Sequence, residues 1–192
     1  MNHKKIVVFG ATGFVGKVLV QHLAKQGAVI TAPTRRPGLA TFLKPLGEVG
    51  QITPLFCDVA DIDSIDTFIQ GADAVINLVG VGFEKGFNTF EGINVKAAGA
   101  IAAACARHHV ARLIHVSALV NDGGDCAYAC SKGAGEDAVH KAFPGATILQ
   151  PSLVFGLESP FFNIFSNLSQ ISPVFHIFER GDTLFQPFHV GD

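Results

Sequence analysis

Short apolar runs alternate with longer segments of helical periodicity along the chain. The apolar runs predict six strands, at Ile6–Phe9, Ala28–Ala32, Ile52–Phe56, Ala74–Val79, Leu113–Val116 and Thr147–Leu149. The periodic segments predict helices at Val15–Lys25, Leu39–Leu43, Ser64–Ile69, Phe90–His108 and Tyr128–Lys141. Strands that alternate with helices are typical of βαβ units, whose right-handed crossovers cover both faces of a parallel sheet. The pattern therefore predicts an α/β fold, a doubly wound parallel sheet in three αβα layers.

No internal repeat and no linker-like stretch interrupts this pattern, so we expect a single domain over residues 1–192. Pro33–Gly38 predicts a turn after the second strand, and Asn121–Asp125 a Gly-rich loop. Asn88 and Glu91 are spaced as a capping-box-like pair before the Ala-rich fourth helix. In such a sheet the ligand binds at the carboxyl edge, where the strand order reverses.

A glycine-rich segment joins the first strand to the first helix. It reads Gly10-Ala-Thr-Gly-Phe-Val-Gly16. The three glycines permit a tight turn, a close approach of the backbone to a pyrophosphate and close helix–strand packing. The helix N-terminus adds N–H donors and a partial positive charge. The segment predicts a Rossmann-type dinucleotide site with contacts from Gly10, Thr12, Gly13, Phe14, Val15 and Gly16.

The charge pattern bears on which dinucleotide binds. Residues 1–47 contain no Asp or Glu but seven of the fourteen Lys and Arg residues. The acid that would bind a ribose 2′-hydroxyl, about twenty residues beyond the loop, is replaced by Arg35 and Arg36. A guanidinium pairs well with a 2′-phosphate, so we expect NADP(H) to be preferred and NAD(H) to be the alternative. The two arginines could instead be solvated residues of a turn.

Asp58 follows the third strand and precedes Val59. It is a candidate partner for the adenine amino group, or equally an acid at a helix start. Both residues are included in the predicted cofactor site.

The only tyrosine of the sequence precedes a lysine by four residues. Tyr128 and Lys132 therefore share one face of the predicted helix, and Ser117 ends the fifth strand. A phenol has a pKa of about 10, and a nearby ammonium lowers it by favouring the phenolate. The three side chains are thus candidates for proton transfer and substrate orientation, although a Tyr–Lys pair is also common on exposed helices.

These residues together resemble the extended and atypical short-chain dehydrogenases/reductases, which include NAD-dependent epimerases and dehydratases. The Gly-x-x-Gly-x-x-Gly spacing marks those branches, and the resemblance implies an active site of Ser117, Tyr128 and Lys132, with Lys132 also on the cofactor ribose. It further implies a proton relay through Asn94, which could otherwise be a buried polar helix residue. Additional cofactor contacts are implied at Leu78, Val79, Gly80, Pro151 and Val154.

Several runs look like one atypical branch, the NAD(P)H-binding accessory subunit of respiratory complex I and its bacterial relatives. They are Lys44–Gln51, Val75–Gly80, Ile114–Ala118, Phe143–Pro144 and Phe185–Pro187. The resemblance implies a tightly held NADPH and respiratory-complex subunits as partners. Full-length members of that branch continue well past Asp192, so residues from about 151 to 192 are expected to begin a truncated substrate lobe.

Other features exclude several classes of protein. The net charge of −2 argues against nucleic-acid binding, and the histidines and four cysteines lack metal-ligand spacing. The uncharged stretch Ser159–Phe178 has two prolines and many polar residues, which argues against a membrane span. An apolar strand follows the N-terminus at once, so we expect no signal or transit peptide and a bacterial cytoplasmic protein, membrane-associated only through a partner complex. The Phe-rich stretch Phe161–Phe178 is expected to line a substrate cleft, dock a partner or pack on a C-terminal lobe.

Three functions remain open at this point. The first is an NADP(H)-dependent oxidoreductase, epimerase or dehydratase acting on an unidentified small carbonyl or nucleotide-sugar compound. The second is a cofactor-loaded accessory or assembly subunit of respiratory complex I without catalysis. The third, a redox-sensing regulator, normally lacks the Tyr–Lys pair and ranks last.

Overall fold

The computed structural model describes residues 4–119, 126–171 and 184–192. The chain divides into two compact units, Met1–Gln150 and Pro151–Asp192. The predicted loop Asn121–Asp125 lies outside the described residues, as do residues 172–178 of the Phe-rich stretch.

The first unit contains one six-stranded sheet in which every described pair of strands is parallel. Its strands are β1 (Lys5–Phe9), β2 (Val29–Thr34), β3 (Ile52–Phe56), β4 (Ala74–Asn77), β5 (Arg112–Val116) and β6 (Thr147–Leu149). They lie in the order β3-β2-β1-β4-β5-β6, with Val7 opposite Thr31 on one side and Val75 on the other. The order reverses between β1 and β4, which confirms the predicted doubly wound sheet and places the crevice at the ends of these two strands.

Helices connect the strands of this sheet. They are α1 (Phe14–Lys25), a 3₁₀ helix (Leu39–Leu46), α2 (Ile62–Ile69), a π-helix (Phe90–Ala97), α3 (Ala98–Arg107) and α4 (Ala127–Ala142). The predicted helix Phe90–His108 is therefore a π-helical segment that continues into an α-helix. The other predicted helices of this unit are present, with bounds that differ by up to three residues.

Two apolar cores cover the two faces of the sheet. Along β1, Ile6 and Val8 join the core that contains Val20 and Leu43, whereas Val7 and Phe9 join the core on the other face. Successive side chains of a strand point to opposite faces, so a strand buried on both sides must be apolar throughout. This explains the uninterrupted apolar run Ile6–Phe9.

Three predicted boundaries were wrong. Strand β2 runs to Thr34, so Pro33 and Thr34 belong to the strand rather than to the predicted turn. The other two differences have local reasons. Strand β4 ends at Asn77 rather than Val79. The N–H of Leu78 still donates to the Phe9 carbonyl, but the N–H of Val79 donates to the Asn77 side chain at 3.0 Å and is not available to the sheet. The capping residue of the π-helix is Thr89 rather than Asn88. The Thr89 hydroxyl accepts the N–H of Gly92 at 3.0 Å, which leaves the Asn88 side chain available for another contact.

The second unit contains helix α5 (Pro160–Ile171) and a short parallel pair, β7 (Val154–Phe155) and β8 (Phe188–His189). The sequence analysis predicted none of these elements: the two-residue strands carry no periodicity, and the region of helix α5 was interpreted only by its lack of charge and its Phe content. No helix among the described residues is long and apolar enough to span a bilayer.

Candidate functional site

The glycine segment forms a tight turn between β1 and α1. Gly10 has a φ of +81°, and a Cβ placed on it would lie 3.0 Å from the carbonyl carbon of Leu78. A Cβ on Gly16 would overlap the carbonyl oxygen of Gly10 and lie 2.7 Å from Cα of Ala11. Side chains at Gly10 and Gly16 are thus excluded by the turn conformation and by backbone packing.

Gly13 starts helix α1 in an extended conformation, and its N–H donates to the Gly10 carbonyl at 3.0 Å. No side chain within the described part of the chain caps this helix end. Its first-turn N–H groups therefore suit an anionic ligand.

Two adjoining clefts open where the glycine segment meets the ends of β2 and β4. The inner cleft has a volume of about 330 Å³ and the outer cleft one of about 500 Å³. Both are lined by Thr12, Thr34, Arg35 and Asn88. The inner cleft is also lined by Gly10, Gly13, Pro33, Cys57, Val59, Leu78, Val79, Gly80, Val81 and Ile93. The outer cleft adds Arg36, Leu39, Ala40 and Phe42. Most of the predicted cofactor contacts of this unit thus lie in one continuous crevice.

The outer cleft carries positive charge without a countercharge. Arg35 and Arg36 line it and are both exposed, and no Asp or Glu of the described residues does so. Arg35 Nη1 donates to Asn88 Oδ1 at 2.9 Å. An anionic group in this cleft would therefore face guanidinium donors and no carboxylate.

Asp58 lies beside the inner cleft, between the lining residues Cys57 and Val59. Its carboxylate accepts the N–H of Ala60 at 3.1 Å, and helix α2 begins after Asp61 rather than after Asp58. Asp58 is therefore a loop-forming acid in this structure, and its contact with adenine stays a prediction.

Helix α4 positions Tyr128 and Lys132 at the carboxyl end of β5. Lys132 is 5% exposed, and its Nζ donates to the carbonyl oxygen of Val116 at 3.3 Å. A Cβ placed on Gly80 would lie 3.6 Å from Lys132 Nζ and 3.5 Å from Asn94 Oδ1. The structure therefore brings Gly80, Asn94 and Lys132 together at the end of β5, which Ser117 directly follows.

Ser117 is buried, and its N–H donates to the carbonyl oxygen of Leu149 at 2.8 Å. Its hydroxyl, by contrast, has no hydrogen-bond partner among the described residues. A buried hydroxyl without a partner costs about 1–3 kcal/mol. This orphaned group fits a site in which a bound molecule completes the hydrogen bonding.

Asn94 is a buried residue that forms hydrogen bonds with the segment after β4. Its Oδ1 accepts the N–H of Val81 at 2.9 Å, and its Nδ2 donates to the Val81 carbonyl at 3.1 Å and to Ser131 Oγ at 3.0 Å. Ser131 Oγ in turn donates to the carbonyl oxygen of Tyr128 at 2.7 Å. Asn94 therefore links the cleft wall to helix α4, and its role in proton relay stays a prediction.

Burial sets the protonation of these side chains. It raises the pKa of Tyr128, with a further increase from the Cys126 thiol, and it lowers the pKa of Lys132 against the opposing effect of Glu136. The ring of Tyr128 also packs edge-on against Phe90, with centroids 6.0 Å apart. The Tyr128 phenol is therefore protonated at neutral pH, and an added positive charge would be needed to favour the phenolate.

A buried polar pair beneath Lys132 was missed in the sequence. Asn77 Nδ2 and His115 Nδ1 lie 3.1 Å apart on neighbouring strands. Because Asn77 Oδ1 already accepts the N–H of Val79, Nδ2 must donate and His115 Nδ1 must accept. Burial, followed by the charge of Lys132, lowers the pKa of His115 to about 4. The sequence did carry a signal for this pair, because Asn77 and His115 are each a polar residue inside an otherwise apolar strand. That signal could have revealed the buried, neutral histidine.

The remaining predicted contacts belong to the second unit. Pro151 begins that unit, and Val154 begins its strand β7. Their contacts with a nicotinamide stay predictions.

A family model described as the NAD dependent epimerase/dehydratase family matches residues 6–167. The chain therefore belongs to this family, which confirms the resemblance stated from the glycine spacing together with Ser117, Tyr128 and Lys132.

Among curated proteins, the chain is 37% identical over 188 residues to the mitochondrial NADH dehydrogenase [ubiquinone] 1 alpha subcomplex subunit 9 of Dictyostelium discoideum, covering 96% of this chain and 52% of that protein. It is 36% identical over 152 residues to the ceramide reductase of Caulobacter vibrioides, covering 79% of this chain and 46% of that protein. The chain thus spans about half the length of the curated relatives it matches.

Among solved structures, UDP-glucuronic acid 4-epimerase from Bacillus cereus, in complex with UDP-glucuronic acid and NAD, superposes with a TM-score of 0.76. The identity is 21%, and the match covers 97% of this chain and 69% of that one. At this identity the similarity establishes the fold alone.

Proposed function

We propose that this chain binds NADP(H) and serves as the dinucleotide-binding part of an accessory subunit of a respiratory NADH:quinone oxidoreductase. The similarity to subunit 9 of that enzyme carries the proposal, because it extends over 96% of the chain rather than over the glycine segment alone. Association with a membrane would then come through the partner complex.

The cleft supports binding of the phosphorylated cofactor. The pyrophosphate would face the first-turn N–H groups of α1, and the 2′-phosphate would face Arg35 and Arg36 in the outer cleft. NAD(H) offers no charge to these two guanidinium groups. The preference for NADP(H) would then come from charge pairing between the 2′-phosphate and these two guanidinium groups.

At the other end of the crevice, Lys132 would hold the nicotinamide ribose beside Gly80, and Ser117 Oγ would receive a hydrogen-bond partner. When bound, the nicotinamide ring supplies or accepts a hydride. In an accessory subunit this end of the site would fix the cofactor in place without turnover.

The proposal is tested by expressing the tagged chain, within its complete protein, in the organism that encodes it. Solubilised membranes are then separated on native gels and stained for NADH oxidation. We expect the tag to migrate with the stained complex and to carry NADPH that stays reduced while the complex turns over. A tag that migrates alone, together with undiminished complex in a deletion strain, would contradict the accessory role.

An oxidoreductase is the second candidate, favoured by the orphaned Ser117 hydroxyl close to Lys132 and by the similarity to a ceramide reductase. Tyr128, whose burial keeps the phenol protonated, would donate that proton to a substrate carbonyl oxygen. The diagnostic variant is Tyr128→Phe. In an enzyme it abolishes oxidation of NADPH by carbonyl substrates and leaves NADPH binding intact. Absence of turnover in both proteins would leave the accessory role.

A further inference from the structure

Asn88 forms a contact that crosses the mouth of the crevice. Arg35 follows β2 and Asn88 lies in the segment after β4, yet β1 separates these strands in the sheet. Strands one position apart in a sheet are about 5 Å from each other, so β2 and β4 are about 10 Å apart. The 2.9 Å hydrogen bond between the two side chains therefore spans the end of β1, where the glycine segment begins.

The segment that carries Asn88 is anchored in several places. We call residues 80–89 the strap. At its start, the backbone of Val81 forms two hydrogen bonds with the buried Asn94 side chain. At its end, the N–H of Phe90 donates to Glu84 Oε1 at 2.8 Å. The strap therefore holds a defined position over the crevice.

A tight hairpin sets the position of Asn88 within the strap. The backbones of Lys85 and Asn88 exchange two hydrogen bonds of 3.1 Å, and Gly86 occupies the turn with a φ of +58°. Gly86 suits this left-handed conformation because it has no Cβ. The hairpin thus fixes the backbone position from which the Asn88 side chain reaches Arg35.

The chemistry of the contact assigns both groups an orientation. Arginine has only donors, so the atom of the Asn88 amide that faces Arg35 must be the oxygen. One Nη1 hydrogen is used, and the guanidinium retains four further N–H groups for an oxyanion. Asn88 and Arg35 line both clefts, so the oriented guanidinium lies where the crevice passes from its inner to its outer part.

We propose that Asn88 is a specificity-determining residue that positions Arg35 for the 2′-phosphate of NADP(H), an inference that rests on the proposed cofactor preference. An unheld arginine side chain loses rotamer freedom when it pairs with a phosphate. The hydrogen bond to Asn88 meets this entropic cost in advance. NADH, which lacks the 2′-phosphate, gains little from this positioning.

The test is a double-mutant cycle read out by binding of NADPH and NADH to the full chain. Asn88→Ala is expected to weaken NADPH binding about tenfold, the effect of losing one hydrogen bond to a charged group, and to change NADH binding less than about twofold. In an Arg35→Ala background, Asn88→Ala should cause no further loss, since it acts through Arg35. Asn88→Asp retains an acceptor for Arg35 but repels a phosphate, so it should also lower NADPH affinity selectively.

Phe87→Ala is the matched control, because Phe87 is fully exposed and belongs to the same hairpin. It should bind both cofactors like the unaltered chain. Equal losses of NADPH and NADH in the Asn88 variants, unchanged NADPH affinity, or additive effects with Arg35→Ala would each overturn the inference. An unaltered chain that binds NADH as tightly as NADPH would instead overturn the proposed cofactor preference on which the inference rests.

Discussion

Helix α4 offers two glycines whose replacement by alanine should have opposite effects on stability. A Cβ on Gly135 would overlap the carbonyl oxygen of Asn94 and lie 3.2 Å from its carbonyl carbon, whereas a Cβ on Gly133 would meet nothing within 4 Å. Both residues lie inside the same helix. Comparing the stabilities of the two alanine variants therefore separates the cost of steric overlap from the gain in intrinsic helix propensity.

The expected magnitudes follow from these surroundings. To accept a Cβ at Gly135, α4 must move away from the π-helix by roughly 1 Å, because a carbon and an oxygen cannot approach much closer than about 3 Å. Overpacking of this kind costs up to about 3 kcal/mol, and the gain in helix propensity returns about 1 kcal/mol. Gly135→Ala should therefore destabilise the chain by about 2 kcal/mol, and Gly133→Ala should stabilise it by about 0.5–1 kcal/mol.

Thermal denaturation followed by circular dichroism measures both effects. In a protein of this size, 1 kcal/mol shifts the Tm by about 2–4 °C, so Gly135→Ala should lower the Tm by about 4–8 °C. It should also weaken cofactor binding, since Asn94 holds the wall of the inner cleft. A Gly135→Ala protein as stable as the unaltered chain, or a destabilised Gly133→Ala protein, would refute the packing of α4 described above.

Two further predictions concern buried titratable groups. The pKa of His115 is about 4, below its ordinary value of 6.5. The unfolded chain therefore binds the proton at higher pH than the folded chain, and stability is lost as the pH falls from 6.5 towards 4, by about 3 kcal/mol at the lower limit. Urea denaturation at about pH 7 and about pH 4.5 should show this loss, and the His115→Gln variant should lose less stability between the two values. If the free energy of unfolding of that variant falls with pH as steeply as that of the unaltered chain, the result would argue against a buried neutral ring. Thiol labelling should distinguish fast-reacting from slow-reacting cysteines. Cys126 and Cys130 are exposed, whereas burial raises the pKa of Cys57 and raises that of Cys105 to about 12. Peptide mass spectrometry should find rapid alkylation at the exposed pair only, and rapid labelling of Cys105 in the folded chain would be inconsistent with its burial.

The fold could be predicted because local signals agree with the global arrangement. Strands β1 and β4 contribute buried side chains to both cores and therefore form apolar runs, and the glycine segment excludes side chains where the turn meets the helix. The ends of elements were harder to predict. Asn88 and Thr89 are adjacent polar residues that could each cap a helix; in the structure Thr89 accepts the N–H of Gly92, whereas the Asn88 side chain accepts from Arg35.

Contacts between distant residues could not be predicted from local patterns. Arg35 and Asn88 are 53 positions apart in the sequence, and Asn77 and His115 are 38 positions apart. Their pairing depends on strand order and on the length of the connecting segments. Ser117 and Lys132 were predicted from spacing, side-chain chemistry and a family resemblance, and the structure brings Lys132 to the end of β5, which Ser117 directly follows. Their roles in catalysis remain predictions.

Calorimetric titration of the chain with NADPH and with NADH tests the central claim most directly, with an Arg35→Ala/Arg36→Ala variant titrated in parallel. We predict that the unaltered chain binds NADPH at least about tenfold more tightly than NADH, and that the double variant loses this difference while it still binds NADH. Equal affinities for the two cofactors, or a preference for NADPH that survives without both arginines, would contradict the assignment of the outer cleft to the 2′-phosphate.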